Sequence, residues 1–292
     1  MIYDLKHVTT YAYSRPVPFA RCILRLLPRE DAGQRVLGSA LSIGPQPAER
    51  GDTICFFGNR MTTLTIAKPH RDLRVEMRAR IEVKRAQPPI AGLTPRWEEV
   101  AALAGADPAL EPGSPAHHLY PSRLVPLPAE VVAYAETSFA PGRPILEAAV
   151  ELMGRMRADF SYDPEATEVS TPLADAFAAR HGVCQDFAHI MIAGLRGLGL
   201  PAAYVSGYIR TIPPPGKKRL EGADASHAWV MLWSGPGTGW IGLDPTNDMI
   251  VGDDHIVTAI GRDYADVAPL DGVLVGPGSQ KIGIAVDVVP VG

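Results

Sequence analysis

The sequence predicts an α+β protein with a β-rich N-terminal part and a second part that combines helices with antiparallel strands. Residues 1–88 alternate apolar and polar side chains between turns, which is typical of strands with one buried face. Beyond residue 128, apolar residues recur at helical spacing, and strand-like runs follow. Helices followed by antiparallel strands are typical of an α+β arrangement.

The first module, residues 1–88, is predicted to be a β-sandwich or small barrel because it contains several short strands separated by turns. Residues 74–84 form the clearest strand, with apolar side chains on one face and mostly charged side chains on the other. Pro88 and Pro89 mark the boundary of this module. Further strands are predicted at residues 2–13, 21–27 and 60–67.

A linker or wrapping arm is predicted at residues 89–127, which are rich in proline, alanine and glycine, with a short helix at residues 96–103. Residues 128–292 are then predicted to form the catalytic domain. Its early helices follow prolines that suit a first turn, and Thr171 is the predicted N-cap of a shorter helix. The main predicted helices of this domain cover residues 128–138 and 144–160.

The later part of this domain is predicted to be mostly β-structure. A strand is predicted at residues 202–212, and a mobile loop at residues 212–225 leads to a hairpin. The hairpin arms are residues 226–233 and 239–244, joined by a segment rich in glycine and proline. A last strand is predicted near residues 282–289.

Cys184 is the most informative residue of the chain because it follows a glycine turn at Gly182 and opens an apolar helix that extends to Leu198. The first turn of a helix leaves N–H groups unpaired and carries partial positive charge, which favours a thiolate. A thiolate is the nucleophilic form of cysteine. We therefore expect Cys184 to be a nucleophile if a base lies near it.

The hairpin supplies a base and a group to orient it. His227 lies at the start of the first arm and Asp244 at the end of the second, so antiparallel pairing brings the two side chains within hydrogen-bonding reach. Asp244 would fix the tautomer of His227, and His227 would take the proton from Cys184. The residues themselves thus predict a Cys-His-Asp triad.

The runs GVCQDFAHIMIAGLRGLGLPAAYVSGY, DASHAWVMLW and GWIGLDPTN resemble the bacterial transglutaminase-like superfamily, whose members are described as cysteine proteases. The segments HVTTYAY, LRLLPR and FGN, together with His255 and GRDYADV, extend the resemblance over nearly the whole chain. It implies a papain-like transglutaminase core, with helices packed on an antiparallel sheet, behind an N-terminal β module. Carried over by motif, the triad of the family falls on Cys184, His227 and Asp244.

Three further residues are candidates for supporting roles. Gln185 is either a second donor to the oxyanion, beside the backbone N–H of Cys184, or an exposed residue of the first helical turn. Tyr162 and Arg262 are candidates for the substrate cleft, although packing explains Tyr162 equally well. No spacing of histidine, cysteine or carboxylate residues indicates a metal site, and no cofactor is expected.

Composition excludes several classes of partner. A net charge of −4 gives no general attraction to nucleic acid or to an anionic membrane. No apolar run is long enough to span a bilayer, and the N-terminus does not have the pattern of a secretory signal. The three cysteines have no close pairing, which indicates free thiols and a cytoplasmic location.

The expected activity is hydrolysis of a peptide or protein amide through an acyl-thioester on Cys184. Transglutaminase-type transfer from glutamine to a primary amine is the alternative, because the same triad serves both reactions. A non-catalytic scaffold or binding protein is the third possibility. The sequence leaves the natural substrate and the oligomeric state open.

Overall fold

The computed structural model describes residues 1–211, 222 and 224–291, which form a β-sandwich and a helix-on-sheet core. Short 3-10 turns occur at Ala91–Leu93 and Pro115–His118. The helices are α1 (Trp97–Gly105), α2 (Ala129–Glu136), α3 (Ile145–Asp159), α4 (Leu173–Ala179), α5 (Cys184–Gly197) and α6 (Tyr264–Val267). The strands are β1 (Ile2–Val17), β2 (Phe19–Leu24), β3 (Gln34–Gly44), β4 (Glu49–Ile54), β5 (Arg60–Ile66), β6 (His70–Val83), β7 (Ser161–Tyr162), β8 (His181–Gly182), β9 (Ala202–Ile209), β10 (Ser226–Trp233), β11 (Trp240–Asp244), β12 (Met249–Ile250), β13 (His255–Gly261), β14 (Leu270–Val275) and β15 (Gln280–Pro290).

The sandwich consists of two four-stranded sheets, in the orders β15-β1-β6-β3 and β14-β2-β5-β4. Strand β6 has the alternation that the sequence predicts, with Val75, Met77 and Ile81 fully buried between the sheets. Strands β3 and β4 had no counterpart among the predicted strands. All six residues of β4 are exposed and β3 is mostly so, and a strand without a buried face shows no apolar alternation.

The C-terminal strands belong to the sandwich. Strand β15 pairs with β1 from Tyr3 opposite Pro290 to Tyr13 opposite Gln280, and β14 pairs with β2. The strand predicted at residues 282–289 therefore exists, but assigning it to the catalytic domain of residues 128–292 was wrong. Its sequence indicates a strand and carries no local signal for the sheet it joins.

The core is a five-stranded sheet in the order β12-β11-β10-β9-β13, with all of these pairs antiparallel. Helix α5 packs against β9 and β10, and every residue from Gln185 to Arg196 is buried. Helices α2, α3 and α4 surround α5. This arrangement confirms the predicted α+β class with helices packed on an antiparallel sheet.

The connection between the modules lies against the core. Val125 is fully buried, and the buried Arg196 of α5 donates hydrogen bonds to the Tyr120 carbonyl and the Ser122 hydroxyl. The short helix α4 begins one residue later than expected, since its N-cap is Pro172. The Thr171 hydroxyl instead accepts a hydrogen bond from the Glu168 N–H.

The sandwich is docked on the free edge of β13 by two buried amide side chains. Gln34 accepts a hydrogen bond from the Val257 N–H and donates one to its carbonyl, both at 2.8 Å. Asn59 makes the same pair of bonds with Ile260, at 2.8 and 2.7 Å. Each amide thus takes the place that a neighbouring strand would have.

Most of the loop predicted at residues 212–225 lies outside the described residues. Among the helices that the structure does describe, none is long and apolar enough to cross a membrane.

Candidate active site

The N-terminus of α5 places Cys184 in the first helical turn, half-buried. The carboxylate of Asp186 folds back to accept hydrogen bonds from the Val183 N–H at 2.8 Å and from the Thr167 hydroxyl at 2.5 Å. A Cβ atom at residue 182 would lie 2.5 Å from Asp186 Oδ2, so this turn requires Gly182. The Gly-x-Cys-x-Asp spacing therefore forms the tight turn that places the thiol at the start of the helix.

The predicted hairpin brings His227 and Asp244 together. Strands β10 and β11 pair from Trp233 opposite Trp240 to Val230 opposite Leu243. Continuing this register would set Asp244 opposite Trp229, so His227 reaches the carboxylate diagonally and not as its direct cross-strand neighbour. The distance from His227 Nε2 to Asp244 Oδ2 is 2.7 Å.

Asp244 is a fully buried carboxylate with hydrogen-bond donors at both oxygens. Oδ1 accepts bonds from the backbone N–H groups of Thr246 and Asn247. Oδ2 accepts bonds from His227, from the Asn247 side chain at 2.7 Å and from His255 Nε2 at 3.2 Å. Burial opposes ionisation, but the bonds from His227, His255 and Asn247 outweigh it and hold the pKa of Asp244 below its usual range.

His227 is 7% exposed, and Asp244 and Cys184 are the two groups that raise the pKa of its imidazole. An ionised carboxylate can only accept, so the short contact with Asp244 requires the proton on Nε2 and leaves Nδ1 for Cys184. Burial alone would lower the pKa of His227. The hydrogen bonds with Asp244 and Cys184 prevail and raise that pKa to about 9.

Trp229 forms one wall behind the two histidines. It is 1% exposed, and its ring lies 5.2 Å from that of His255 and 6.0 Å from that of His227. A Cβ at Gly207, the residue that pairs with His227, would overlap the Trp229 ring at 2.5 Å. The glycine on β9 therefore lets the indole pack beside the triad.

Burial raises the pKa of Tyr162, Tyr204 and Tyr264, and the charge of Cys184 adds to the effect on each. Tyr204 is buried beneath the site, and Tyr264 is half-buried in α6. Tyr162 is 51% exposed and stands at the opening. A place for Tyr162 in the substrate cleft stays a prediction.

Gln185 and Arg262 have partners elsewhere. The Gln185 amide donates to the Val169 carbonyl at 3.4 Å, in a loop before α4. Arg262 forms an ion pair with Asp266, and the two residues line a groove that also contains Arg25 and Tyr120. Neither side chain has a hydrogen bond to the triad in the described part of the chain.

The ligand atoms of His227, Asp244 and His255 lie within 4.8 Å of one another, the spacing that a bound metal ion would need. All three atoms are already joined by the hydrogen bonds at Asp244 Oδ2. This donor set fits a hydrogen-bonded triad at least as well as a metal centre.

Sequence reasoning missed three residues around the site: Asn247 and His255 on Asp244, and Tyr264 beside Cys184. Asn247 follows Asp-Pro-Thr at the strand end. These residue types favour a turn, which could have predicted that Asn247 folds back towards Asp244. His255 and Tyr264 lie in segments that carried the family resemblance. Their positions depend on the return of β13 and α6 to the core, for which the local sequence has no signal.

Comparisons with known proteins follow the same division of the chain. Residues 3–82 match the family model of the bacterial transglutaminase-like N-terminal region, and residues 132–245 match that of the transglutaminase-like superfamily. An uncharacterized protein of Mycobacterium tuberculosis is 40% identical over 99% of this chain and 92% of its own length. One from Mycobacterium leprae is 32% identical over 97% of this chain and 96% of its own.

A protein-glutamine gamma-glutamyltransferase of Pseudomonas aeruginosa is 35% identical over 95 residues, which are 30% of this chain and 14% of that protein. Among solved structures, a "Putative Cysteine Protease" from Cytophaga hutchinsonii superposes with a TM-score of 0.75 at 20% identity. That superposition covers 100% of this chain and 92% of the other, so the two proteins share their fold.

Proposed function

Because the chain belongs to the bacterial transglutaminase-like superfamily, we propose that it is a thiol-dependent hydrolase of peptide or isopeptide-type amides. The observation that carries the proposal is the buried 2.7 Å contact between His227 and Asp244, together with Cys184 at the start of α5, which contributes to the raised pKa of the same imidazole. A nucleophile, a base and a group that orients the base are the parts that covalent acyl transfer needs.

The reaction begins when Nδ1 of His227 takes the thiol proton and the Cys184 sulfur attacks the amide carbonyl. The tetrahedral oxyanion faces the first turn of α5, where the Cys184 N–H precedes the first intrahelical hydrogen bonds and is free to donate. His227 then gives its proton to the leaving amine, the C–N bond breaks, and a thioester remains on Cys184.

Water completes the cycle. His227 removes a proton from the attacking water, the C–S bond breaks, and the released carboxylic acid leaves a protonated thiol. Asp244 stays ionised throughout and stabilises the imidazolium that forms in each half-reaction. Tyr162 and Tyr264, whose pKa values the charge of Cys184 helps to raise, would contact the acyl chain of the substrate.

Transfer of the acyl group to a primary amine is the second candidate. The local similarity to the Pseudomonas aeruginosa protein-glutamine gamma-glutamyltransferase favours it, since that match extends over 95 residues. The first half-reaction is identical, and the two activities differ only in whether water or an amine attacks the thioester.

Mass spectrometry of peptide pools incubated with the protein, with and without a primary amine, tests the proposal. Hydrolysis predicts cleaved or deamidated peptides that are absent with Cys184→Ala. Amine adducts would instead support transglutaminase activity. If no peptide is cleaved, deamidated or joined to the amine, and no acyl donor leaves a covalent adduct on Cys184, the catalytic proposal is wrong and a scaffold role is favoured.

A further inference from the structure

His255 is a buried histidine that contacts the triad from behind. It is 0% exposed, lies at the start of β13, and has its Nε2 atom 3.2 Å from Asp244 Oδ2. The Gly252 N–H donates to its Nδ1 at 3.4 Å. Because Nδ1 accepts that bond, the proton of the neutral ring is on Nε2, from which it is donated to Asp244.

The carboxylate of Asp244 is oriented largely by such donors. Its Oδ2 atom is shared by His227 and His255, which approach from strands β10 and β13, and by Asn247. A buried carboxylate that loses a donor carries an uncompensated desolvation cost, which favours its protonation or a rotation away from His227. Either change would weaken the bond that holds the His227 imidazole.

The strand that carries His255 is fixed from the sandwich side. The Arg85 guanidinium donates to the His255 carbonyl at 3.2 Å, and the Arg85 N–H donates to Asp253 at 2.8 Å. Gln34 holds Val257, two residues further along β13. The N-terminal module thus fixes the backbone from which His255 reaches Asp244.

We infer that His255 is a positioning residue, which orients Asp244 and through it the His227 imidazole that serves Cys184. This inference rests on the proposed function. His255 is fully buried and bonds to Oδ2 of Asp244, so its effect on the thiol is transmitted through that carboxylate.

The experiment measures the rate of Cys184 alkylation by iodoacetamide against pH, with the labelled site identified by peptide mapping. His255→Gln keeps an N–H donor at the distance of Nε2, whereas the shorter His255→Asn does not reach Asp244. Both amides suit a buried polar position, so the pair separates positioning from folding. His118→Gln is the matched control, since His118 is also a buried histidine and packs against Trp240, away from Asp244.

We expect His255→Asn to move the pH profile of Cys184 alkylation about one unit towards alkaline pH, which is about a tenfold lower rate at neutral pH, because an imidazolium that Asp244 orients less well stabilises the thiolate less. His255→Gln should stay within about threefold of the wild type, and His118→Gln should not change the pH profile. If His255→Asn has the wild-type profile, the positioning role is wrong while the triad stands. If the wild type itself titrates like a free thiol, near pH 8.5, the proposed function fails first.

Discussion

The sandwich and the core both bury polar side chains, but they use side chains of different charge. At the edge of β13, the sandwich contributes the neutral amides of Gln34 and Asn59, each matched to one N–H and one carbonyl. The core gathers the charge of Asp244 with two histidines around it. The uncharged amides hold the two modules together and do not titrate. The cluster around Asp244 contains groups that can gain or lose a proton.

Each of the two modules contains a cysteine that can be replaced by alanine. The comparison of these two variants gives the largest expected effect. Cys184→Ala should reduce turnover by about 10⁴-fold or more, because it removes the atom that carries the acyl group. Cys22 is 1% exposed in the sandwich, and burial raises the pKa of its thiol to about 11. Cys22→Ala should leave turnover within about twofold and cost about 1 kcal/mol of stability.

Steady-state kinetics on a peptide identified by the mass-spectrometric screen, together with urea unfolding of each variant, provides both measurements. Equal losses of turnover in the two variants would mean that Cys184 acts through the fold and not as the nucleophile.

The hydrogen bonds that hold the sandwich on β13 can be removed at Gln34. Gln34→Leu leaves the buried N–H of Val257 without its partner and leaves the Val257 carbonyl only the longer bond from the Arg29 N–H, which should lower the free energy of unfolding by about 1–3 kcal/mol. Urea denaturation measures the change, and Gln87→Leu at an exposed position is the matched control. The alkylation rate of Cys184 should also fall, since β13 carries His255.

An unfolding free energy for Gln34→Leu equal to that of the Gln87 control would show that the two modules are held by apolar packing alone. The polar contacts at the edge of β13 would then be incidental.

Local signals explain what the sequence predicted well. The hairpin, the helix start at Cys184 and the alternation of β6 each lie within one short segment, so turn chemistry and periodicity were sufficient to identify them. The contact between His227 and Asp244 could be predicted because each residue lies at the boundary of a hairpin strand.

The contacts that could not be predicted from the sequence join residues that are far apart in the chain. Gln34 bonds with a strand 223 positions away, and Asn59 with a residue 201 positions away. The same holds for the return of β15 to β1 and for the contact of His255 with Asp244. Such pairings depend on the tertiary fold, and a single side chain carries no periodic pattern to reveal them.

The free energy of unfolding should depend on pH in opposite directions for the two kinds of buried histidine. Burial lowers the pKa of His7 in the sandwich and of His189 in α5 to about 4, whereas the pKa of His227 is raised to about 9. In the unfolded chain all three titrate near pH 6.5. Stability should therefore fall as the pH drops from 6.5 towards 4, because the unfolded state then binds more protons.

On the alkaline side, the contribution of His227 to the free energy of unfolding is fully present below pH 6.5. It is lost as the pH rises to about 9, which lowers the free energy of unfolding by an amount on the order of 1–3 kcal/mol. Urea unfolding across this range measures both limbs. His227→Gln should flatten the alkaline limb and leave the acid limb in place. An unchanged alkaline limb would mean that the imidazolium is not held by Asp244 in the folded state.

The smallest effect is expected at Gln185, the residue next to the nucleophile. Its amide donates to the Val169 carbonyl, and the backbone N–H of Cys184 provides the oxyanion with a donor that does not depend on this side chain. Gln185→Ala should therefore change turnover by less than about tenfold, with Cys184 alkylation unaffected. A loss of about 100-fold at an unchanged alkylation rate is the size that removing an oxyanion donor produces. That result would mean the Gln185 amide leaves Val169 and turns to the oxyanion when substrate binds.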